Sequence, residues 1–208
     1  MEKTEHRMNG DAGRPYLSQN NFNDWLKNPD LVRMWHHERD MMPKPSPELQ
    51  KLFDFGHLMH EKAHGLYPSG FEETRKLSYK GHLENSIKLL QRRIPLFELG
   101  FQYDNLYSRP DIMIPAEEDS WDMIEVKAAP KVYEDFVKQV AFMYHVIVKC
   151  GVKINKCYLM HLKKGVYARP EMPAQDIFEK TDVTGKVLVS QEFIRNSVDS
   201  IRMELEIG

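Results

Sequence analysis

Three side chains stand at spacings that could do hydrolytic chemistry: Asp111, Glu125 and Lys127. Glu125-Val126-Lys127 lies in the apolar run MIEVKAA, and in a strand two residues of that spacing project from one face. A carboxylate and an ammonium then share one small site. This is the only Glu-x-Lys or Asp-x-Lys triplet in the chain, and it sits where unpaired charge is costly. Upstream, Arg109-Pro110-Asp111 opens a second apolar run, IMIP, and a hairpin joining the runs would set Asp111 beside Glu125. Two carboxylates held together repel unless a proton or a cation intervenes. A hard divalent ion, Mg²⁺ or Mn²⁺, is the natural partner, because it takes oxygen ligands and keeps waters for chemistry. Singly, these residues have plainer explanations: an ion pair for Glu125 and Lys127, a turn former for Asp111 after Pro110.

Such groups need a sheet beneath them and helices to cover it. From Ile94 the chain turns to short apolar runs, IPLFELGF, YDNLYSRPDIMIP and WDMIEVKAA, which predict a three-stranded antiparallel meander. After Pro130, VYEDFVKQVAFMYHVIVKCG predicts a helix of about five turns, with Phe136, Val140, Met143 or Tyr144 and Ile147 on one side and Gly151 at its end. A strand, KCYLMHL, follows. The turn KKG, the loop ARPEMP, a short strand around Val187 to Val189 and a final helix from Gln191 to about Glu206 complete the chain. The part before the sheet reads as helical. Ser18 caps a helix through Leu26, Asp30 caps a second, and Ser46-Pro47-Glu48 starts a long amphipathic one ending near Pro68-Ser69-Gly70. Gly56, Met59, His60 and Ala63 recur on it at three- and four-residue steps, and Gly56 is expected to let the helix approach the sheet closely. Helical signal continues from about Phe71 to Arg93, interrupted at Gly81. The fold class is α/β, a mixed central sheet of a meander plus a further strand, flanked by helices.

PDIM followed at short range by IEVK resembles the signature of the PD-(D/E)xK nuclease superfamily. Gly56-His57-Leu58-Met59-His60 is similar to the G-x-x-x-H motif of its RecB-type branch, the branch related to the CRISPR-adaptation nucleases, and Glu98 is similar to that branch's additional acid. YLSQNNF near the start resembles the opening of such modules. The likeness runs from about Leu49 to Leu162 and implies a restriction-endonuclease-like core. It also implies Asp111, Glu125 and Lys127 as catalytic residues, and His60, Asp111, Glu125 and the carbonyl of Val126 as ligands of Mg²⁺ or Mn²⁺. The implied activity is hydrolysis of phosphodiester bonds, in DNA by the family's habit and as an exonuclease ahead of an endonuclease. Two features depart from the branch. Asn28 stands where a cluster-binding cysteine is expected, so no iron–sulfur cluster is carried over. The helix motif Q-x-x-x-Y is stretched to Gln139 and Tyr144, five apart, which turns those expected nucleic-acid contacts away from a common face.

Composition sets the remaining bounds. Of 208 residues, 41% are hydrophobic and 29% charged, the balance of a folded chain. Net charge is −2, which argues against holding nucleic acid by global electrostatics alone. Local charge differs: six basic residues and no acid lie between Lys149 and Arg169, and Lys163, Lys164 and Arg169, with Arg92 and Arg93, are candidate nucleic-acid contacts. Solvated lysines on a sheet edge explain the same run. Two cysteines exclude any four-cysteine zinc or iron–sulfur site within the chain. No apolar run approaches the roughly 18 residues that span a bilayer, and MEKTEHRMNGDAGRP has no apolar centre, so no membrane partner and a cytoplasmic location are expected. Residues 1–15 read as a flexible tail and 16–208 as one nuclease-like domain: a mainly helical part to 93, the catalytic sheet core over 94–162, and a C-terminal extension from 163. The alternative to an active enzyme is a silent nuclease-fold module that binds nucleic acid or assembles with protein.

Overall fold

The computed structural model describes residues 17–38 and 44–205. The expected tail over 1–15, part of the MMPKPSP break and the expected helix end at Glu206 lie outside those residues. Strand β1 (Leu17–Ser18) leads into α1 (Gln19–Lys27), where Ser18 and Asn21 form a reciprocal capping box. Asn28, rather than Asp30, caps α2 (Pro29–His37). Pro29 takes the first helical position, which shifts the cap one residue ahead of it, and the Asn28 side chain accepts from the Asp30 N–H. Ser46 caps α3 (Pro47–His64) as expected, and the helix stops a turn short of Pro68.

The stretch from Phe71 to Arg93 is not one helix. It opens with β2 (Phe71–Glu72), and α4 (Tyr79–Leu90) starts only at the Ser78 cap, whose hydroxyl accepts from Gly81. Gly81 therefore belongs to the first turn instead of interrupting a longer helix. The expected meander resolves into five strands in two sheets: β3 (Leu96–Phe97), β4 (Phe101–Tyr103), β5 (Leu106–Ser108), β6 (Ile112–Pro115) and β7 (Trp121–Lys127). Strands β4 and β5 form a hairpin that pairs with β1. Meanwhile β3, β6 and β7 carry the antiparallel meander of the larger sheet. Arg109-Pro110 is where the run YDNLYSRPDIMIP leaves one sheet for the other, since proline cannot donate to a ladder.

After β7 the chain crosses by α5 (Glu134–Lys149) to β8 (Ile154–Leu162), parallel to β7, because parallel neighbours need a crossover. Then come α6 (Ala174–Ile177), β9 (Phe178–Asp182), α7 (Thr184–Val189) and α8 (Gln191–Glu204). The larger sheet runs β2-β3-β6-β7-β8-β9, a mixed sheet flanked by helices. Two expectations fail here. Val187 to Val189 end a short helix rather than a strand, with Val187 buried against the α5 side. Strand β9, FEKTD, gives no strand signal in the sequence, because an edge strand of charged residues shows no apolar alternation.

Strand β7 is central and buried on both faces. Trp121 and Met123 join the cluster around α5, and Ile124 and Val126 the cluster beneath Met59 and Ala63 of α3. Helix α5 lies between the sheet and the α7–α8 pair, so it buries more than the one stripe expected, including Val137, Ala141, Phe142 and Val146. Phe142 is fully buried and stacks on Phe22 of α1 at 4.9 Å. Phe142→Ala is expected to cost about 3–5 kcal/mol, read as a lower midpoint of thermal or urea unfolding. Among the described residues no helix is long and apolar enough to cross a membrane.

Candidate active site

The site forms where β6 begins and β7 ends. Asp111 stands immediately before β6 and is 4% exposed. Its Oδ2 accepts from the Val126 N–H at 2.6 Å, which fixes the carboxylate beside the residue that follows Glu125. In a strand the N–H and C=O of one residue point to the same edge, so the Val126 carbonyl also faces the Asp111 side. The β6–β7 ladder ends at Ile112 opposite Ile124, which leaves that edge of β7 open at Val126.

Helix α3 brings His60 over this edge, its Nδ1 3.3 Å from Asp111 Oδ1 and 3.9 Å from Glu98 Oε1. Glu98 follows β3 with a left-handed backbone, φ +56°. That conformation turns the chain so that its N–H donates to the Asp111 carbonyl at 3.1 Å. The ligand-type atoms of His60, Glu98 and Asp111 all lie within 4.8 Å of one another. Gly56 does not act as expected: a Cβ there would meet open space, and the close packing of α3 on the sheet is made a turn later by Met59 and Ala63.

Glu125 is 2% exposed, and its Oε1 accepts from Lys127 Nζ at 2.8 Å. The same face of β7 thus holds carboxylate and ammonium in contact, as the spacing requires. The other oxygen, Oε2, is buried and has no hydrogen-bond partner among the described residues. An acceptor left so costs free energy on the order of 1–3 kcal/mol, more when charged. A hard divalent ion fits these donors on that observation: an unpartnered buried carboxylate oxygen beside a second buried carboxylate.

The electrostatics follow. Burial pushes the Asp111 carboxyl well above the usual range, and the Glu125 charge adds to it. Burial acts to lower the His60 imidazole, but the contact with Glu98 and the charges of Asp111, Glu125 and Glu98 outweigh it and push it up to about 9. Burial would raise Glu98. Its contact with His60 and the Arg109 guanidinium instead hold it low. Each acid has a basic partner: Asp111 has His60, Glu125 has Lys127, and Glu98 has Arg109 at 2.8 Å and, at longer range, His60.

The expected nucleic-acid contacts are scattered. Gln139 is buried on α5. Tyr144 lines a groove with Ser120, Val152 and Ile154 at the start of β7, the opposite end from Glu125. Lys163 Nζ donates to the Gln175 carbonyl at 2.7 Å, Arg169 pairs with Glu171 at 3.2 Å, and Lys164 is exposed. The Arg93 guanidinium donates to the carbonyls of Ser120 and Ala116 and lies over the Trp121 ring, so it holds a turn; Arg92 lies over Phe71. Two neighbours of the cluster carry little signal in the sequence. Arg109, which orients Glu98, had only its place before Pro110-Asp111 as a signal. His64, one turn after His60, stacks on Phe97 at 4.0 Å with Nδ1 3.7 Å from Glu72.

No family model and no curated protein matches the chain. Among solved structures, the chain is similar to an alkaline exonuclease (LHK-Exo) from Laribacter hongkongensis, at 12% identity, over 96% of this chain and 91% of that one, with a TM-score of 0.40. It is also similar to LHK-Exo in complex with dAMP, at 9% identity, over 92% and 90%, with a TM-score of 0.46.

Proposed function

We propose that this chain is a metal-dependent nuclease of the PD-(D/E)xK superfamily, of the RecB-type branch, that hydrolyses DNA from its ends. The observation that carries the reading is the buried Asp111–Glu125 pair, with Lys127 on one Glu125 oxygen and the other oxygen unpartnered. Asp111, Glu125 and the Val126 carbonyl would hold Mg²⁺ or Mn²⁺, with His60 and Glu98 alongside and no iron–sulfur cluster. When bound, the ion neutralises charge on a phosphate and lowers the pKa of water.

Lys127 reaches the same point from the next position on that face of β7. Its ammonium orients the attacking water and stabilises the extra negative charge of an in-line displacement. The water gives up a proton to solvent as its oxygen bonds to phosphorus, the bond from phosphorus to the leaving oxygen breaks, and that oxygen takes up a proton from solvent. Arg109 keeps Glu98 charged and turned toward His60, which in turn contacts Asp111. Lys163, Lys164 and Arg169 belong to the same reading as contacts to the phosphate backbone.

The test is incubation with linear and covalently closed circular DNA, single- and double-stranded, with Mg²⁺ and with EDTA. Linear DNA is expected to shorten to nucleotides, circles to persist and EDTA to abolish the reaction. Cleavage that survives EDTA overturns the metal role, and cut circles overturn the end-directed mode. Ca²⁺ is expected to bind with little turnover, since its looser coordination positions water poorly. The basic partner beside each acid favours a second reading, a silent nuclease-fold module for nucleic-acid binding or protein assembly. That reading expects no product in the same assay.

A further inference from the structure

Tyr167 is 89% exposed, the most exposed large apolar side chain among the described residues. It lies in the loop between β8 and α6, in the run KKGVYAR, where Lys163, Lys164 and Arg169 occur with no acid among them. That loop leaves the sheet at the end where Lys127 stands. Strands β7 and β8 are parallel with Lys127 opposite His161, and the Leu162 N–H donates to the Ala129 carbonyl at 2.9 Å, joining the segment after Lys127 to the base of the loop.

The loop is held rather than loose. The Lys163 N–H donates to the Ile177 carbonyl at 2.8 Å, Gly165 turns the chain at φ +78°, and Lys62 of α3 donates to the Met172 carbonyl at 2.8 Å. Ala168 and Met172 pack into the cluster that contains Met59 of α3. Tyr167 therefore stands in a loop tethered at Met172 to the helix that carries His60, with its ring turned to water. No ring or cation contact occupies that ring among the described residues. An aromatic face near the exposed Lys164, in a loop that leaves the sheet at the end where Lys127 stands, matches one kind of occupant: an anionic chain whose unpaired bases stack and whose phosphates need counter-charge.

We propose that Tyr167 is a stacking platform for an unpaired base of single-stranded DNA next to the phosphate in the site, with Lys164 contacting a flanking phosphate. The proposal rests on the nuclease reading for where the strand leads, but binding can be measured without turnover. The probe is a fluorescein-labelled oligothymidylate of about fifteen nucleotides, titrated by anisotropy in Ca²⁺ with wild type, Tyr167→Ala, Tyr167→Phe and Lys164→Ala. Tyr167→Ala is expected to weaken binding roughly tenfold and Tyr167→Phe by less than about twofold, since the π-face does the stacking. Neither should move the melting temperature, because the ring supports no packing. Lys164→Ala is expected to flatten the slope of log K against log salt by about 0.7.

Tyr167→Ala binding as tightly as wild type overturns the platform, as does Tyr167→Phe falling as far as Tyr167→Ala. A wild type that binds a blunt duplex more tightly than the single strand also overturns it. A wild type that binds the oligonucleotide through Tyr167 but never cuts DNA in Mg²⁺ overturns the nuclease reading alone and supports the platform.

Discussion

Glu125→Gln is expected to reduce Mg²⁺-dependent cleavage on the order of a thousandfold, about 4 kcal/mol of transition-state stabilisation. Glutamine keeps the shape of the side chain and removes its charge, so the packing is held while the anionic donor is lost. Asp111→Asn is expected to do the same. Asparagine can still accept from the Val126 N–H with its amide oxygen, which preserves the 2.6 Å contact that anchors the end of β7. Both variants should lose divalent-ion affinity along with activity. Rates of nucleotide release over a Mg²⁺ series, with melting curves to confirm folding, check this. Wild-type activity in either variant would remove that carboxylate from the site.

Lys127→Met is expected to abolish cleavage by a similar factor while leaving ion affinity nearly intact, which separates its role from that of the acids. A protonated lysine donates three hydrogens and ligates nothing. Methionine fills similar volume but supplies no cation at the 2.8 Å contact with Glu125. Removing one partner of a buried ion pair also destabilises the metal-free fold, by roughly 3–5 kcal/mol where both partners are deeply buried. Lys127 is 18% exposed at its side chain, so the loss should fall below that range, and activity is best measured well under the melting transition. Equal loss of ion affinity in Lys127→Met and Glu125→Gln would show that lysine supports the carboxylates instead of the reacting water.

Much of the site was legible because it depends on spacing within single elements. Alternation in a strand puts Glu125 and Lys127 on one face, and helical spacing sets His60 one residue from the buried Met59. The caps at Ser18 and Ser46 were legible for the same local reason. What depends on relations between elements was harder to read. Periodicity says that LYS and IMIP are extended but not that they join different sheets, a choice made at Arg109-Pro110. Glu98 reaches the cluster because of its left-handed backbone, which no local signal announces in a non-glycine residue. Gly56 shows the opposite error, a glycine read as a close contact where the helix faces open space. The groove at Tyr144 lies at the far end of β7 because α5 runs the length of that strand, and a motif spacing alone cannot say which end it serves.

Calorimetric titration of Mn²⁺ into the wild type and into Glu125→Gln tests most directly whether the acids around Asp111 hold an ion. The wild type is expected to give a saturable isotherm, and Glu125→Gln an affinity at least about tenfold weaker, titrated well below its melting transition. A wild type with no saturable heat, or a variant that binds Mn²⁺ as well as the wild type does, would contradict the account.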